Sequence, residues 1–290
     1  MKKLLSILLA VFMLVGFAGL VPAMATQANP FAPPANLDQL NAQQQLDYFN
    51  LVVNRVRAER PGFAQRSRLH IEDMQLSGAA SVAMPIINVI MRTLIPGNWW
   101  YNEIREGASN VDWFMSHNTN ASDLRLQDTI AIVTERDGNN WVMEVLVREE
   151  TNPVPGLGSS IGRIAPVMIR EQVIDEITSV SDAITANPND MTLRYHNVFA
   201  SVVVNPQGQV IAASNGFHVH AQANNVTIGP LTTDLTVSQS SQWQYAYFSW
   251  SDCGTGFPPD SNLPALRWWQ HLPAWLQFIL RWFAFGWIWM

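Results

Sequence analysis

Apolar positions along the chain follow two rhythms. Over 42–60, Leu46, Phe49, Val52, Val53 and Val56 recur every three or four residues, the stripe of an amphipathic helix. Asn41 with Gln44 three residues on forms a capping-box pattern, and Pro61-Gly62 ends the run. Over 67–76, Leu69, Ile71, Met74 and Leu76 alternate imperfectly with His70, Glu72 and Asp73, which predicts a strand. Residues 79–95 are apolar nearly all round and bounded by Pro96-Gly97. That run is too short to span a bilayer and reads as a buried helix against a sheet.

From Gln127 onward, period-two alternation takes over. Segments 130–134 and 141–148 flank Asp137-Gly138-Asn139-Asn140, a hairpin signal, with Trp141, Met143, Val145 and Val147 on one face and Glu144 and Arg148 on the other. Residues 159–186 read as a helix with Pro166 near its first turns and Ile161, Ile164, Met168, Ile169, Val173, Ile177 and Val180 as its apolar series. Strands then follow over 192–204, 209–223, 226–238 and 242–250, joined by turns at Asn205-Pro206-Gln207-Gly208 and Asn224-Asn225. A run of hairpins makes a meander, and the helices do not alternate with strands one for one. The expected class is therefore α+β: a curved antiparallel sheet covered on one face by helices, filling one domain over 36–250.

The two ends have a different character. Residues 1–25 carry Lys2 and Lys3, an apolar run over 4–21, Pro22 and then Ala23-Met24-Ala25, the plan of a secretory signal peptide cleaved after Ala25. An uncleaved anchor is the alternative. A proline-rich linker occupies 26–35. At the far end 251–262 reads as a hinge, and 263–290 as a separate apolar helix rich in tryptophan: Trp268, Trp269, Trp275, Trp282, Trp287 and Trp289, with Phe283 among them. As a helix, 272–290 would reach roughly 28 Å, just short of a hydrocarbon core of roughly 30 Å. Arg267, His271, Ala274, Gln277 and Arg281 recur at helical spacing, a narrow strip that suits a helix lying in the membrane surface with its indoles at the headgroup boundary. A spanning anchor is a second reading. A helix docked on its own domain or on a partner is a third, because apolar faces look alike in sequence.

Charge and cysteine usage narrow the chemistry. Removing 1–25 takes away the chain's only lysines, so of 17 basic residues the 15 arginines remain against 23 acids, a net charge near −8. A Schiff-base lysine and the P-loop motif are excluded, and the acidic balance argues against nucleic acid as a partner. The single cysteine, Cys253, permits no intramolecular disulfide and no cysteine-rich zinc site.

Four constellations can be read as chemistry. Gly158-Ser159-Ser160-Ile161-Gly162 has the spacing of a nucleophile elbow, with Asp175 or Asp190 and His196, His218 or His220 following in order, but an elbow needs a parallel strand and a sharp turn before it. A glycine-rich loop whose serine caps the next helix is the plainer reading. His218 and His220 share a strand face, with Asp234 as a third metal ligand; a solvated strand face is the plainer reading, and no metal or other cofactor is expected. The acidic pairs Glu72-Asp73, Glu149-Glu150 and Asp175-Glu176 point their side chains apart and make no catalytic pair. Finally, Met84 and Met91 with Trp141, Met143, Phe217, Trp243, Tyr245 and Tyr247 form an adaptable aromatic inner face that could hold a lipid-like ligand or be a filled core.

Glu150-Thr151-Asn152-Pro153 with Gly156-Leu157-Gly158, Leu193-Arg194-Tyr195-His196 and the run from Val202 to Val210 give 123–236 an order and spacing that resembles small exported proteins of unknown function from clostridia and related Firmicutes. The resemblance implies an extracytoplasmic setting and an antiparallel sheet, and it transfers no functional residue. The expected function is a non-enzymatic binding module of the cell envelope, for a hydrophobic small molecule or a surface partner, held at the membrane by its tail. A secreted interaction protein whose tail docks into another subunit, and a weak hydrolase using Ser160, are the alternatives.

Overall fold

A computed structural model describes residues 29–85, 97–108, 114–115, 123–180, 184–228 and 230–250. The expected signal peptide, the hinge, the tail with all its tryptophans, and most of the predicted helix over 79–95 lie outside the described residues. The chain divides into two compact units, Met1–Ala32 and Pro33–Met290. Of the first, only the turn at 29–32 is described, closed by the Ala32 N–H donating to the Asn29 carbonyl at 3.1 Å. The described helices and strands all belong to the second unit.

Helix α1, Ala42–Glu59, forms where the stripe predicts. The Asn41 side chain accepts from the Gln44 N–H at 3.0 Å and the Gln44 side chain accepts from the Asn41 N–H at 3.2 Å, so two donors that helix geometry leaves open are satisfied together. Its far end closes on Arg60 in the left-handed conformation, φ 50°. Leu46, Phe49, Val52, Val53 and Val56 are all fully buried.

The strands make one antiparallel sheet: β1 Gly62–Leu76, β2 Trp100–Ile104, β3 Thr129–Asp137, β4 Asn140–Val147, β5 Glu150–Thr151, β6 Ile184–Thr185, β7 Met191–Val204, β8 Val210–Ile228 and β9 Leu231–Ser249. Its order is β2-β1-β9-β8-β7-β4-β3, with β5 beside β7 and β6 beside β8. The predicted hairpin is present, and Gly138 takes the positive φ its two-residue turn requires. The turn at 205–208 is also present. There the Asn205 side chain accepts from the backbone N–H of Gln207 and Gln209.

Four expectations are corrected. β1 begins at Gly62 rather than at 67, because Gln65 and Ser67 stand on its buried face at 2 % and 3 % exposure and hide the alternation. Gly62 is needed there, since a Cβ would meet Glu106 N at 2.9 Å and Ile104 O at 3.0 Å. The single helix predicted over 159–186 is instead a turn at Ile161–Arg163, an extended stretch, helix α2 at Arg170–Val180, and β6. Pro166 disfavours helical geometry at Ala165 and has no N–H to give, and the Tyr195 hydroxyl accepts the Met168 N–H at 3.1 Å. Asn224-Asn225 is not a turn. Asn225, at φ 55°, sits in a bulge inside β8, where its N–H donates to Asp234 at 3.0 Å, and the chain reverses only after Ile228. Likewise the polar run 239–241 continues β9 instead of breaking it.

One contiguous core joins the α1 stripe to the buried faces of β4, β7, β8 and β9 and to Phe63, Ile161 and Ile164. Loops are tied to it by buried polar side chains. Asn215 donates to the Ile164 carbonyl at 2.8 Å, Arg57 donates to the carbonyls of Arg163 and Phe114, and the Tyr245 hydroxyl accepts the Met115 N–H. Burial lowers the Arg57 pKa to about 10, raises Tyr195 to about 12, and pushes Tyr245 well above the ordinary tyrosine range.

Candidate functional site

Because side chains alternate along a strand, every residue between two core positions faces the other way. Cross-strand register gathers these into rows on the outer face of the sheet. Val203, Ala212, Ala246 and Ala64 make one row across β7, β8, β9 and β1. Ser201, Ser214, Gln244, Arg66 and Tyr101 make the next, with Glu144 of β4 opposite Ser201. Further along come His196, His218, Ser240 and His70, and then Arg194, His220, Ser238 and Asp73.

The first two rows floor a groove of about 500 Å³. Tyr101 lies at its β2 end and Tyr247 at its rim. Tyr247 is 66 % exposed and has φ 58°, a left-handed conformation rarely adopted by a bulky residue. The register explains it: Gly62 pairs with Ser249 and Ala64 with Ala246, so β9 carries an extra residue here. The bulge inverts the alternation. Trp243 and Tyr245 point into the core, Tyr247 points out, and Phe248 and Trp250 point in again, Phe248 against Phe63 at 5.3 Å between ring centres. The expectation that Tyr247 shares the inner face is thereby corrected. Arg66 donates to the Gln244 side chain at 2.6 Å, and its guanidinium, with that of Arg68, lies over the Trp99 ring at 4.8 and 5.2 Å.

A second depression of about 530 Å³ lies on the same face, lined by Ile130, Leu146, Phe199, Glu149, Arg194 and His196 among others. Arg194 pairs with Glu149 at 2.7 Å. His218 Nδ1 lies 3.1 Å from Glu72 Oε1, and the His196 and His218 rings are 5.5 Å apart. His196 has its pKa lowered, first by partial burial, then by His218 and Arg194, with Glu149 and Glu72 opposing.

The candidate residues of the sequence divide between the core, the outer face and the loops. Trp141, Met143, Phe217, Trp243 and Tyr245 are all at least 95 % buried within the core cluster, and Tyr245 also lines the groove. Met84 is half-buried, and Met91 lies outside the described residues. His218 and His220 do share the outer face, but Asp234 is occupied at the β8 bulge, and His220 Nδ1 lies 3.0 Å from Ser238 Oγ. Among the described residues no group of three or more metal-ligating side chains comes together. Ser159 accepts the Gly162 N–H and donates to the Val154 carbonyl, while the Ser160 N–H donates to Glu150. Glu150 is paired with Tyr195, whose side chain faces the core, and His196 and His218 stand on the opposite face.

The groove itself was missed in the sequence. Its signal was available: outward positions 201, 203, 212, 214 and 246 carry small uncharged side chains where a merely solvated strand would carry long charged ones, and Tyr247-Phe248 breaks the alternation. Among its described lining residues there is no carboxylate, imidazole or thiol. Gln65 and Tyr245 line it with their side chains buried on the inner face, so the groups that equip its outer side to hold a ligand by hydrogen bonding and stacking are the Ser201 and Ser214 hydroxyls, the Gln244 amide, the Arg66 guanidinium and the Tyr101 and Tyr247 phenols. No known protein family, curated protein or solved structure matches the chain.

Proposed function

We propose that this is an exported, non-enzymatic binding protein of the cell envelope, and that its ligand or surface partner is taken on the outer face of the sheet. The observation that carries the reading is the groove whose described lining offers hydroxyl, amide, guanidinium and phenol groups for recognition and no carboxylate, imidazole or thiol beside them. In this reading the helical elements close the inner face, consistent with the α1 stripe lying in one core with Trp141 and Met143. The tryptophan-rich segment 263–290 forms an apolar helix that holds the protein at the membrane surface, and 1–25 directs export. Its composition and the resemblance to exported proteins support that setting; among the described residues no helix is long and apolar enough to cross a membrane.

Two measurements test it together. A photo-crosslinking residue at Leu146, on the outer face, captures an envelope component, and the same residue at Gln43, on the exposed side of α1, does not. Deleting 264–290 moves the protein from the membrane fraction to the soluble one. Equal capture from both positions contradicts the binding face, and a misfolded or still membrane-bound deletion contradicts the anchor.

A further inference from the structure

We infer that the groove between Tyr101 and Tyr247 binds a β-linked glycan chain; this rests on the outer-face reading above and names its ligand class. Such a chain is a flat ribbon with C–H faces above and below and hydroxyls along its edges. The groove offers the complement of both. Ala212, Ala246 and Val203 give a low floor on which a pyranose ring can lie, and the exposed Tyr247 ring supplies a stacking face. Ser201, Ser214, Gln244 and Arg66 stand in a single row across four strands, one hydrogen-bonding group at each strand spacing of about 4.8 Å, a step close to the length of one sugar unit. The groove is open rather than enclosed, which suits a chain better than a compact molecule.

The alternatives fit less well. An acyl chain would strip water from two hydroxyls, an amide and a guanidinium without replacing their hydrogen bonds. A polyanion would meet one arginine in the groove, on a chain of net negative charge. The left-handed backbone at Tyr247 belongs to the same picture, because a bulky residue in that conformation costs free energy and presents its ring over the groove.

Isothermal titration of the purified full chain with cello-hexaose and with the hexamer of β-1,4-linked N-acetylglucosamine tests the assignment. Saturable binding of at least one is expected, weakened tenfold or more by Tyr247→Asn and by Ser214→Trp and unchanged by Gln43→Ala on the exposed side of α1. Asparagine is used because it tolerates the left-handed backbone, and Ser214→Trp fills the groove from a regular strand position should the bulge variant fail to fold. No binding of either oligosaccharide, or binding indifferent to both groove variants, overturns the glycan assignment. If the oligosaccharides fail while the Leu146 photo-adduct persists, the glycan assignment falls and the binding face stands; if both fail, the outer-face reading falls with it.

Discussion

Asn50 and Leu124 exchange two hydrogen bonds across 74 residues of sequence: the Asn50 amide donates to the Leu124 carbonyl at 2.9 Å, and its oxygen accepts the Leu124 N–H at 3.1 Å. A side-chain amide thus acts as one residue of a ladder, pinning α1 to the segment that leads into β3. The pair is buried, so neither backbone group has water as a substitute. Asn50→Ala leaves both unsatisfied and is expected to cost about 2–6 kcal/mol on the scale of 1–3 per orphaned group, read from urea denaturation. A loss below about 1 kcal/mol would show that the pair is replaceable.

Gly162 carries the second prediction. A Cβ there would meet the carbonyl oxygens of Val154 and Gly156 at 2.7 Å and the Gly156 nitrogen at 2.8 Å, all rigid backbone. Gly162→Ala should therefore destabilise by about 1–3 kcal/mol, the usual range for overpacking. Ser160→Ala should leave stability within about 0.5 kcal/mol and any esterase background unchanged, because in the proposed reading the loop serves packing rather than nucleophilic attack. A drop in hydrolysis with Ser160→Ala would revive the enzyme reading.

Tyr247 separates stability from function. Replacing it with glycine removes a left-handed strain of about 1–2 kcal/mol while increasing the freedom of the unfolded chain, so Tyr247→Gly should fold with stability equal to the parent or up to about 1 kcal/mol higher. Trp250 and Phe248 keep their inward positions only if the bulge persists, and the tryptophan fluorescence maximum reports it. A red shift with lost stability would mean that the Tyr247 ring, not the bulge, holds the strand end.

His196 makes stability depend on pH. Partial burial, with His218 and Arg194 close by, lowers its folded pKa below the ordinary 6.5, against the opposing pull of Glu149 and Glu72. For a base with a lowered folded pKa, the unfolded state binds more protons just below pH 6.5, so stability falls as pH drops through the unfolded value and levels off below the folded one. Its contribution is complete above about 6.5. His196→Gln should flatten the stability profile in that window, and proton NMR titration of the imidazole should give a midpoint below that of a free histidine. A midpoint at or above 6.5 contradicts the geometry.

Much of the fold was legible where a single force sets the pattern. The α1 stripe, its capping box, the Gly138 hairpin and the Asn205 turn depend on local spacing and backbone preference, and each stands where the spacing puts it. The failures have a common cause in polar residues used inside the fold. Gln65, Ser67 and Ser241 face the core, and Asn225 serves a bulge, so alternation read from hydropathy alone started β1 late, broke β9 and placed a turn inside β8. The helix over 159–186 failed because distant side chains, Arg57, Asn215 and Tyr195, hold its first half extended or in a tight turn through backbone hydrogen bonds. The aromatic inner face was legible as a face, but whether it enclosed a ligand or filled a core depends on packing, and Trp141, Met143 and Trp243 fill it. The groove was missed because its distinguishing feature is smallness at Ala212, Ser214 and Ala246, a signal spread over separate strands and brought together only by register.

The central claim is that the working surface is the sheet face turned away from the core. Its most direct test is saturable binding of the chain lacking 264–290 to isolated cell envelopes, compared with the same chain carrying Ser214→Trp and Leu146→Asp, one substitution in each depression of that face. The account predicts that the parent binds and the double variant, with an unchanged melting temperature, loses binding at least tenfold. A folded double variant that binds as the parent does would contradict it.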